Sequence, residues 1–424
     1  MLNSNISKSV SINTMMYSIN AVAIGIISFV LISFLTNNLP PEQYGKIELF
    51  TVYVGLFSGI VLIGGPTIIS GEYFKSKKKA LSLMENHLLI IFSFVLLACT
   101  INYIIPYSEI YSLPKYLVYF LIISAGCVSI NTLNSTVFIL DSRPLSHGIF
   151  NISLQLFALF LSIIVIQNIT HDYSGRIIGI LASNIVYALI SMVILFKNNV
   201  RVSYSKLSMN YIAKYGLPLV LIHINGWINE VIDKVMITEY IGIGDTGIYS
   251  VGYKFGMITM LIGVAVGRSV TPIIYRNLSS SSKERDLNLV HVISYAAAIL
   301  FALSIILIIV SPVLIIKLTH PSYHRAIMIV PLITLTYFID GLWKLFVGIL
   351  VYYKQNNQYL IIMTLSAFVN VLLNYILLSK YGIIGAAWAS LASFSVGAIY
   401  TMWAAHRLHP LPWASILKRG NLNG

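Results

Sequence analysis

Charge is scarce in this 424-residue chain: Asp, Glu, Lys and Arg together make up 10% of it. A soluble protein of this length needs far more polar surface, so a soluble globular fold is excluded. Cysteine is nearly absent, with two residues, Cys99 and Cys127. Both fall inside apolar runs, which excludes a disulfide framework. Long polar loops are missing too, leaving no room for an independent soluble domain. The chain shows no metal-ligand cluster, nucleophile elbow or phosphate-cradling loop, so enzyme chemistry and a resident cofactor are not expected. No nucleotide-binding domain is present, which argues against direct ATP-driven work by this chain alone.

What the chain has is apolar length. Hydrophobic residues make up 57% and the mean hydropathy is +0.84. Apolar runs of about 20 residues recur throughout, each sufficient to cross a hydrocarbon layer of ~30 Å. Barrel strands are short and alternate in polarity, so a barrel does not fit. The expectation is an all-α polytopic membrane protein with twelve transmembrane helices. Their approximate spans are 13–36, 47–70, 85–105, 116–140, 147–168, 176–196, 212–239, 247–274, 288–316, 326–352, 358–379 and 383–405. The first run is too long for a signal core and lacks a small-residue cleavage site, so it reads as a retained helix.

The net charge of +13 would suit nucleic acid, but its distribution points to the membrane. With the N-terminus in the cytoplasm, cytoplasmic segments carry 17 Lys and Arg, outside segments 6, and the spans 4. That asymmetry predicts both termini in the cytoplasm. The basic runs are then membrane anchors, and no nucleic-acid partner is expected.

The chain also repeats itself. Pro66-Thr67-Ile68-Ile69 returns as Pro272-Ile273-Ile274-Tyr275, and Ile177-Ile178-Gly179 as Ile383-Ile384-Gly385, both 206 residues later. Leu39–Gly45 and Ile241–Gly247 form comparable turns. Six spans per half give two parallel, pseudo-symmetric six-helix lobes, residues 1–200 and 201–424, around a central cavity.

Eight charges interrupt the apolar runs: Glu48, Glu230, Asp233, Lys234, Lys254, Arg268, Asp340 and Lys344. Each costs roughly 2.5–3.5 kcal/mol at a lipid-facing helix centre, so each is expected to face a wet cavity or an opposite charge. Glu48 lies close to Lys46 and reads as interfacial. The seventh span is the most polar, with His223, Asn225, Asn229, Glu230, Asp233 and Lys234. His223, Trp227, Glu230 and Lys234 share one face by their 4-3-4 spacing. Glu230 and Lys234 sit at i,i+4 with the acid first, as do Asp340 and Lys344 in the tenth span; both can pair internally. Lys254 and Arg268 lie 14 residues apart, within roughly 40° on one face of an unbroken helix. Two cations with no acid on their own span suit phosphate, although both could also snorkel toward the span ends. The pairs Asn131–Asn134 and Asn370–Asn374 suit bonding between helices. The 27 Tyr include residues near span ends, such as Tyr44, Tyr116 and Tyr240, that fit an interfacial belt.

Three segments carry a resemblance. They are Leu39-Pro40-Pro41-Glu42-Gln43-Tyr44-Gly45; Asp233-Lys234-Val235-Met236-Ile237 with Gly247-Ile248-Tyr249-Ser250-Val251; and Asn370–Asn374 with Lys380-Tyr381-Gly382-Ile383-Ile384-Gly385-Ala386-Ala387. With the length and span count, the chain resembles the O-antigen and lipid-linked oligosaccharide flippases of the multidrug/oligosaccharidyl-lipid/polysaccharide exporter superfamily. The resemblance implies two lobes forming a V around a cationic cavity. It implies flipping of an undecaprenyl-pyrophosphate-linked repeat unit from the cytoplasmic to the periplasmic leaflet, by alternating access coupled to an ion. Lys254, Lys234, Arg268 and Lys344 would then bind the headgroup. Glu230, Asp233 and Asp340 would couple to a proton or sodium. Membrane lipid and a polysaccharide polymerase are the implied partners. A multidrug or metabolite efflux antiporter shares the architecture. A membrane glycosyltransferase or O-antigen polymerase would need a large outside loop, and the longest here are roughly ten residues.

Overall fold

Each of the twelve predicted spans is helical. In the computed structural model, residues 2–105, 109–110, 113–279 and 282–413 are described, with the side chains of 2–15, 17–18, 109–110, 113, 268 and 283 excepted. Among the described residues, ten helices are long and apolar enough to cross a membrane. One of them, Asn356–Leu408, is two helices joined across Gly382, whose φ of 61° and ψ of −145° are not helical. Lys206–Tyr240 is also long, but its polar residues keep it out of that set.

The chain forms two compact units, Met1–Ile224 and Asn225–Gly424. Unit 1 contains α1 (Leu2–Asn38), α2 (Pro41–Leu62), α3 (Gly65–Tyr73), α4 (Lys77–Ile104), α5 (Lys115–Leu140), α6 (Pro144–Val165) and α7 (Tyr173–Lys197). The next helix, α8 (Lys206–Tyr240), carries the chain from unit 1 into unit 2. Unit 2 continues with α9 (Ile243–Gly256), α10 (Ile258–Leu278), α11 (Lys283–Leu318), α12 (Val330–Tyr352) and α13 (Asn356–Leu408). Helix starts follow local chemistry. Proline occupies the first turn of α2, α3, α6 and α12, where its missing N–H costs nothing. Side chains of Ser76, Asp172 and Ser282 cap α4, α7 and α11.

Two spans expected to be single helices are interrupted. The span 47–70 breaks at Ile63 and Gly64, both in the left-handed region at φ 43° and 67°. Glycine takes that conformation freely; a β-branched isoleucine does so only where packing holds it. The span 247–274 breaks at Met257, between α9 and α10. The turn before α5 adds a small departure from an all-helical chain, a two-residue antiparallel pairing of β1 (Glu109–Ile110) with β2 (Leu113–Pro114).

Each unit has its own apolar core. In unit 1, Leu83, Met84, Leu88, Leu133 and Ile212 pack with Val61, Ile68 and Ile69 around the α2–α3 break. In unit 2, Ile274, Leu289, Val290, Leu345, Ile349 and Ile362 pack with Trp343, whose ring stands edge-on to Phe394 at 5.9 Å. Large apolar side chains also cover the outside of the helices: Leu96, Ile309 and Ile399 are each about two-thirds exposed or more. Water would not tolerate so extensive an apolar exterior; hydrocarbon does.

Candidate functional site

The most polar region of unit 2 is built where α8, α9, α12 and α13 meet. Asp233, on α8, is 1% exposed. Its carboxylate accepts hydrogen bonds from the Tyr249 hydroxyl, from Ser390 Oγ at 3.2 Å and from the backbone N–H of Lys234 at 2.9 Å. Three helices therefore contribute to holding one acid. Multiple donors are what a buried carboxylate needs, because the alternative is a bare charge in a low-dielectric interior.

Lys234, the next residue, is 5% exposed, and its ammonium lies 5.0 Å from the centre of the Tyr253 ring. That ring is fixed from both sides: its hydroxyl donates to the Glu230 carbonyl at 2.5 Å and accepts from Tyr337 at 2.7 Å. Tyr249 and Tyr253 are one turn apart on α9, so one helical face serves both Asp233 and Lys234.

A second polar chain runs from α8 along the two segments of α13. Asn225 Nδ2 donates to Thr364 at 3.0 Å, and Asn229 Nδ2 to the Met363 carbonyl at 3.3 Å. Ser366 donates to Asn229 at 2.9 Å and to the Ser393 carbonyl at 2.9 Å. Asn370 donates to Ser393 Oγ at 3.1 Å, and Asn374 to Asn370 Oδ1 at 2.9 Å. Asn229 and Asn370 thus bond between helices, whereas Asn374 bonds within its own helical segment and Asn134 in unit 1 has no hydrogen bond. Asn374 Oδ1 remains buried without a hydrogen bond. In unit 1, Asn131 accepts from Ser191 at 2.9 Å in the same manner.

The acid–base pair in α12 forms: Lys344 Nζ donates to Asp340 at 2.5 Å, with Asp340 buried and Lys344 47% exposed at its side chain. Glu230 is exposed, and the charges of Lys344, Asp340 and Lys234 all act on it. Glu230, Lys234, Asp340 and Lys344 thus form one electrostatic group. Lys254 is half-buried on α9. Lys254 and Arg268 lie on α9 and α10, on either side of Met257, whose backbone keeps helical angles at φ −63° and ψ −13°. The Arg268 side chain lies outside the described residues.

Glu48, read as interfacial, is buried within unit 1, at 4% exposure. Its neighbours are Tyr44, whose hydroxyl bonds to it, and Arg176, whose charge acts on it. Arg176, expected in an outside segment, is inside α7 and 8% exposed. Sequence also missed Tyr249, Tyr253, Tyr337, Ser390 and Ser393. The i,i+4 tyrosines of α9 were a usable signal; single serines on α13 offered none. Among the described residues, no three His, Cys, Asp or Glu side chains gather as a metal site.

The class of fold is a multi-pass helical bundle with buried charges on interrupted helices. Solved structures agree. The lipid II flippase MurJ in an inward-closed conformation is similar at a TM-score of 0.73 and 17% identity, covering 92% of this chain and 87% of that one. An inward-facing multidrug resistance MATE family transporter of the MOP superfamily is similar at 0.69 and 15% identity, covering 97% and 99%. A MOP superfamily transporter from Pyrococcus furiosus reaches 0.65 at 13% identity, covering 95% and 96%.

The particular family follows from sequence. The model for polysaccharide biosynthesis proteins matches residues 7–278, and the chain belongs to that family. Among curated relatives, a protein of the Lsg locus of Haemophilus influenzae is 23% identical over 275 residues, 63% of this chain and 66% of that protein. The multidrug export protein MepA of Staphylococcus haemolyticus is 24% identical over 257 residues, 58% of this chain and 56% of that protein. The chain thus spans about two thirds or less of the length of these relatives.

Proposed function

We propose that this protein is a flippase for a polyprenyl-pyrophosphate-linked oligosaccharide, an O-antigen or related surface-polysaccharide repeat unit. It carries that unit from the cytoplasmic to the periplasmic leaflet of a bacterial inner membrane. Both termini face the cytoplasm, and residues 1–200 and 201–424 act as two six-helix lobes. Membership in the polysaccharide biosynthesis family carries this reading. The likeness to a structure named as a lipid II flippase supports it.

The chemistry of the cargo matches the charges of the chain. A pyrophosphate must shed water to cross the membrane interior, and cations repay that desolvation. Lys254, Lys234, Arg268 and Lys344 are the headgroup contacts in this reading, with Lys254 foremost. Asp233, Glu230 and Asp340 are the coupling acids, taking up a proton or sodium as access alternates. Asp233 is the best placed for the role. Its ligands are all oxygen or N–H groups on α8, α9 and α13, so changing its charge changes how three helices are joined. A polysaccharide polymerase is the expected partner downstream.

The test is loss of the gene in a strain that makes the polysaccharide. Lipid-linked repeat units should accumulate on the cytoplasmic leaflet, and Lys254→Ala at normal membrane levels should reproduce the accumulation. Normal surface polysaccharide with Lys254→Ala removes Lys254 from the site.

The match to MepA favours a second reading, efflux of drugs or metabolites by the same architecture. Expression in an efflux-deficient strain decides: raised drug resistance with no effect on polysaccharide display supports efflux.

A further inference from the structure

The end of α13 carries a surface that the proposed transport cycle does not use. Trp403 is 49% exposed and lines two adjoining cavities. One, of about 520 Å³, is also lined by Phe346 of α12, Met402, His406 and Trp413. The other, of about 460 Å³, lies one to two turns back along α13, against Val396, Ile399 and Tyr400. Trp413 belongs to the segment after α13, and its ring is 6.0 Å from that of Phe346. The Tyr400 ring is 5.5 Å from that of Trp403. The floor is fixed by packing: Phe346 is 8% exposed in the apolar core of unit 2, and Leu411, beside Trp413, is 5% exposed.

Charge marks one end of this groove. The Arg407 guanidinium lies 4.5 Å from the centre of the Trp403 ring. It is exposed in the last turn of α13, where the helix dipole favours a cation. Among the described residues it has no acid partner. A guanidinium laid on a ring face keeps its N–H groups free at the edge, where a phosphate can accept from them. His406, the residue before, is exposed and makes no side-chain hydrogen bond among the described residues. The acid Asp286 of α11 is at the same end but is bonded to His409 at 2.8 Å. An interfacial belt accounts for Trp403 and Tyr400. It does not account for two cavities that end on a cation.

We propose that this groove binds an anionic phospholipid, its phosphate on Arg407 and His406 and an acyl chain along Trp403, Tyr400 and Val396. The depth fits one leaflet. From Arg407 back to Val396 the helix covers about 16 Å, at about 1.5 Å per residue, roughly half of a ~30 Å hydrocarbon core. A polyprenyl chain is much longer than that. A soluble anion would use the cation and leave the apolar floor bare. A lipid uses both, and its head supplies the charge that Arg407 lacks. A lipid seated here touches α12, α13 and the segment after it, and so ties that segment to the bundle.

In the orientation proposed above, the leaflet is the cytoplasmic one, whose anionic lipids attract basic residues beside a span. Only the leaflet rests on that reading; the site stands on unit 2 alone. A third cavity, of about 420 Å³, continues along α13 past Ile384 and Trp388 in the other half of the span. A polyprenyl phosphate, with one long chain, is therefore the competitor that the test includes.

Quenching of tryptophan fluorescence by brominated lipids tests the site on the purified full chain in phosphatidylcholine vesicles, without cargo. Phosphatidylglycerol brominated on its acyl chains should quench more than brominated phosphatidylcholine at the same content, with a relative affinity of about fivefold or more. Unlabelled phosphatidylglycerol should reverse the excess. Trp403→Phe/Trp413→Phe keeps the aromatic walls and three of the five tryptophans, and should remove the excess signal. His406→Gln/Arg407→Gln changes two exposed side chains, keeps every tryptophan, and should bring the two lipids to equal quenching. Equal quenching in the wild type overturns the proposal, as does an excess that survives either double variant. Reversal by undecaprenyl phosphate but not by phosphatidylglycerol gives the groove to a polyprenyl chain and also overturns it. A flippase assay that fails while the quenching pattern holds overturns the cargo reading and leaves the lipid site standing.

Discussion

Each unit buries an acid, and the two solve the resulting electrostatic problem differently. In unit 1, Glu48 is buried with Tyr44 bonded to it, and the buried Arg176 guanidinium on α7 is held by Ala158 and Ser162 of α6. In unit 2, the Asp233 carboxylate is held by Tyr249, Ser390 and a backbone N–H, while the neighbouring Lys234 ammonium lies on an aromatic ring. The first arrangement holds each charge through neutral oxygen groups nearby. The second is a hydrogen-bond cage built on one carboxylate, which tolerates a change of charge because hydroxyls can either donate or accept. A site that must take up and release an ion repeatedly is served by the second.

Removing the buried cation of unit 1 should have the largest effect. Arg176→Met removes charged hydrogen bonds to the Ala158 carbonyl and to Ser162 and should cost about 3 kcal/mol. Thermal unfolding of the purified protein should show this.

In unit 2 the cage should fail in smaller steps. Tyr249→Phe removes one donor from a fully buried carboxylate and should cost about 1–3 kcal/mol. Asp233→Asn keeps size and hydrogen bonding, so it should spare folding and depress transport. Tyr253→Phe removes the bonds to Glu230 and Tyr337 but keeps the ring beside Lys234, costing about 1 kcal/mol. Tyr253→Leu should cost about 0.5–2 kcal/mol more through the lost cation–π contact. If Phe and Leu behave alike, the ring contributes nothing to holding Lys234.

The smallest effect lies outside the spans. Glu72 follows the α3 core; it accepts from Tyr211 at 2.8 Å and pairs with Lys79 at 3.1 Å and Lys75 at 3.6 Å. The Tyr211 hydrogen bond first, then Lys79, holds its carboxyl below the ordinary carboxylate value. A depressed folded value means the contribution to stability is present above the unfolded pKa, about 4.3, and is lost as pH falls through the folded value. Glu72→Gln should therefore reduce the acid sensitivity of unfolding below about pH 4 and leave neutral pH nearly unchanged.

The sequence made helices easier to read than sites. Apolar run length placed the predicted spans in helical chain, because a bilayer imposes length on each span, but not the helix ends within them. Gly382 marked the division of the last long helix, since its positive φ needs a residue without Cβ. The break at Ile63 was hidden, because isoleucine is a poor signal for a left-handed turn. The charges were visible as a set, but their partners were not. Lys254 and Arg268 were assigned one face from their spacing, and a single residue with helical angles, Met257, stands between the helices that carry them. Glu48 read as interfacial because Lys46 is close in sequence, yet it is buried within unit 1. Such burial belongs to tertiary packing, and local spacing carries no trace of it.

Reconstitution of the full chain into vesicles carrying a fluorescent polyprenyl-pyrophosphate oligosaccharide tests the central claim most directly. The wild type should move the lipid between leaflets. Asp233→Asn, at equal incorporation, should slow it about tenfold or more, equivalent to about 1.4 kcal/mol of barrier. Equal rates in wild type, Asp233→Asn and protein-free vesicles would contradict the account.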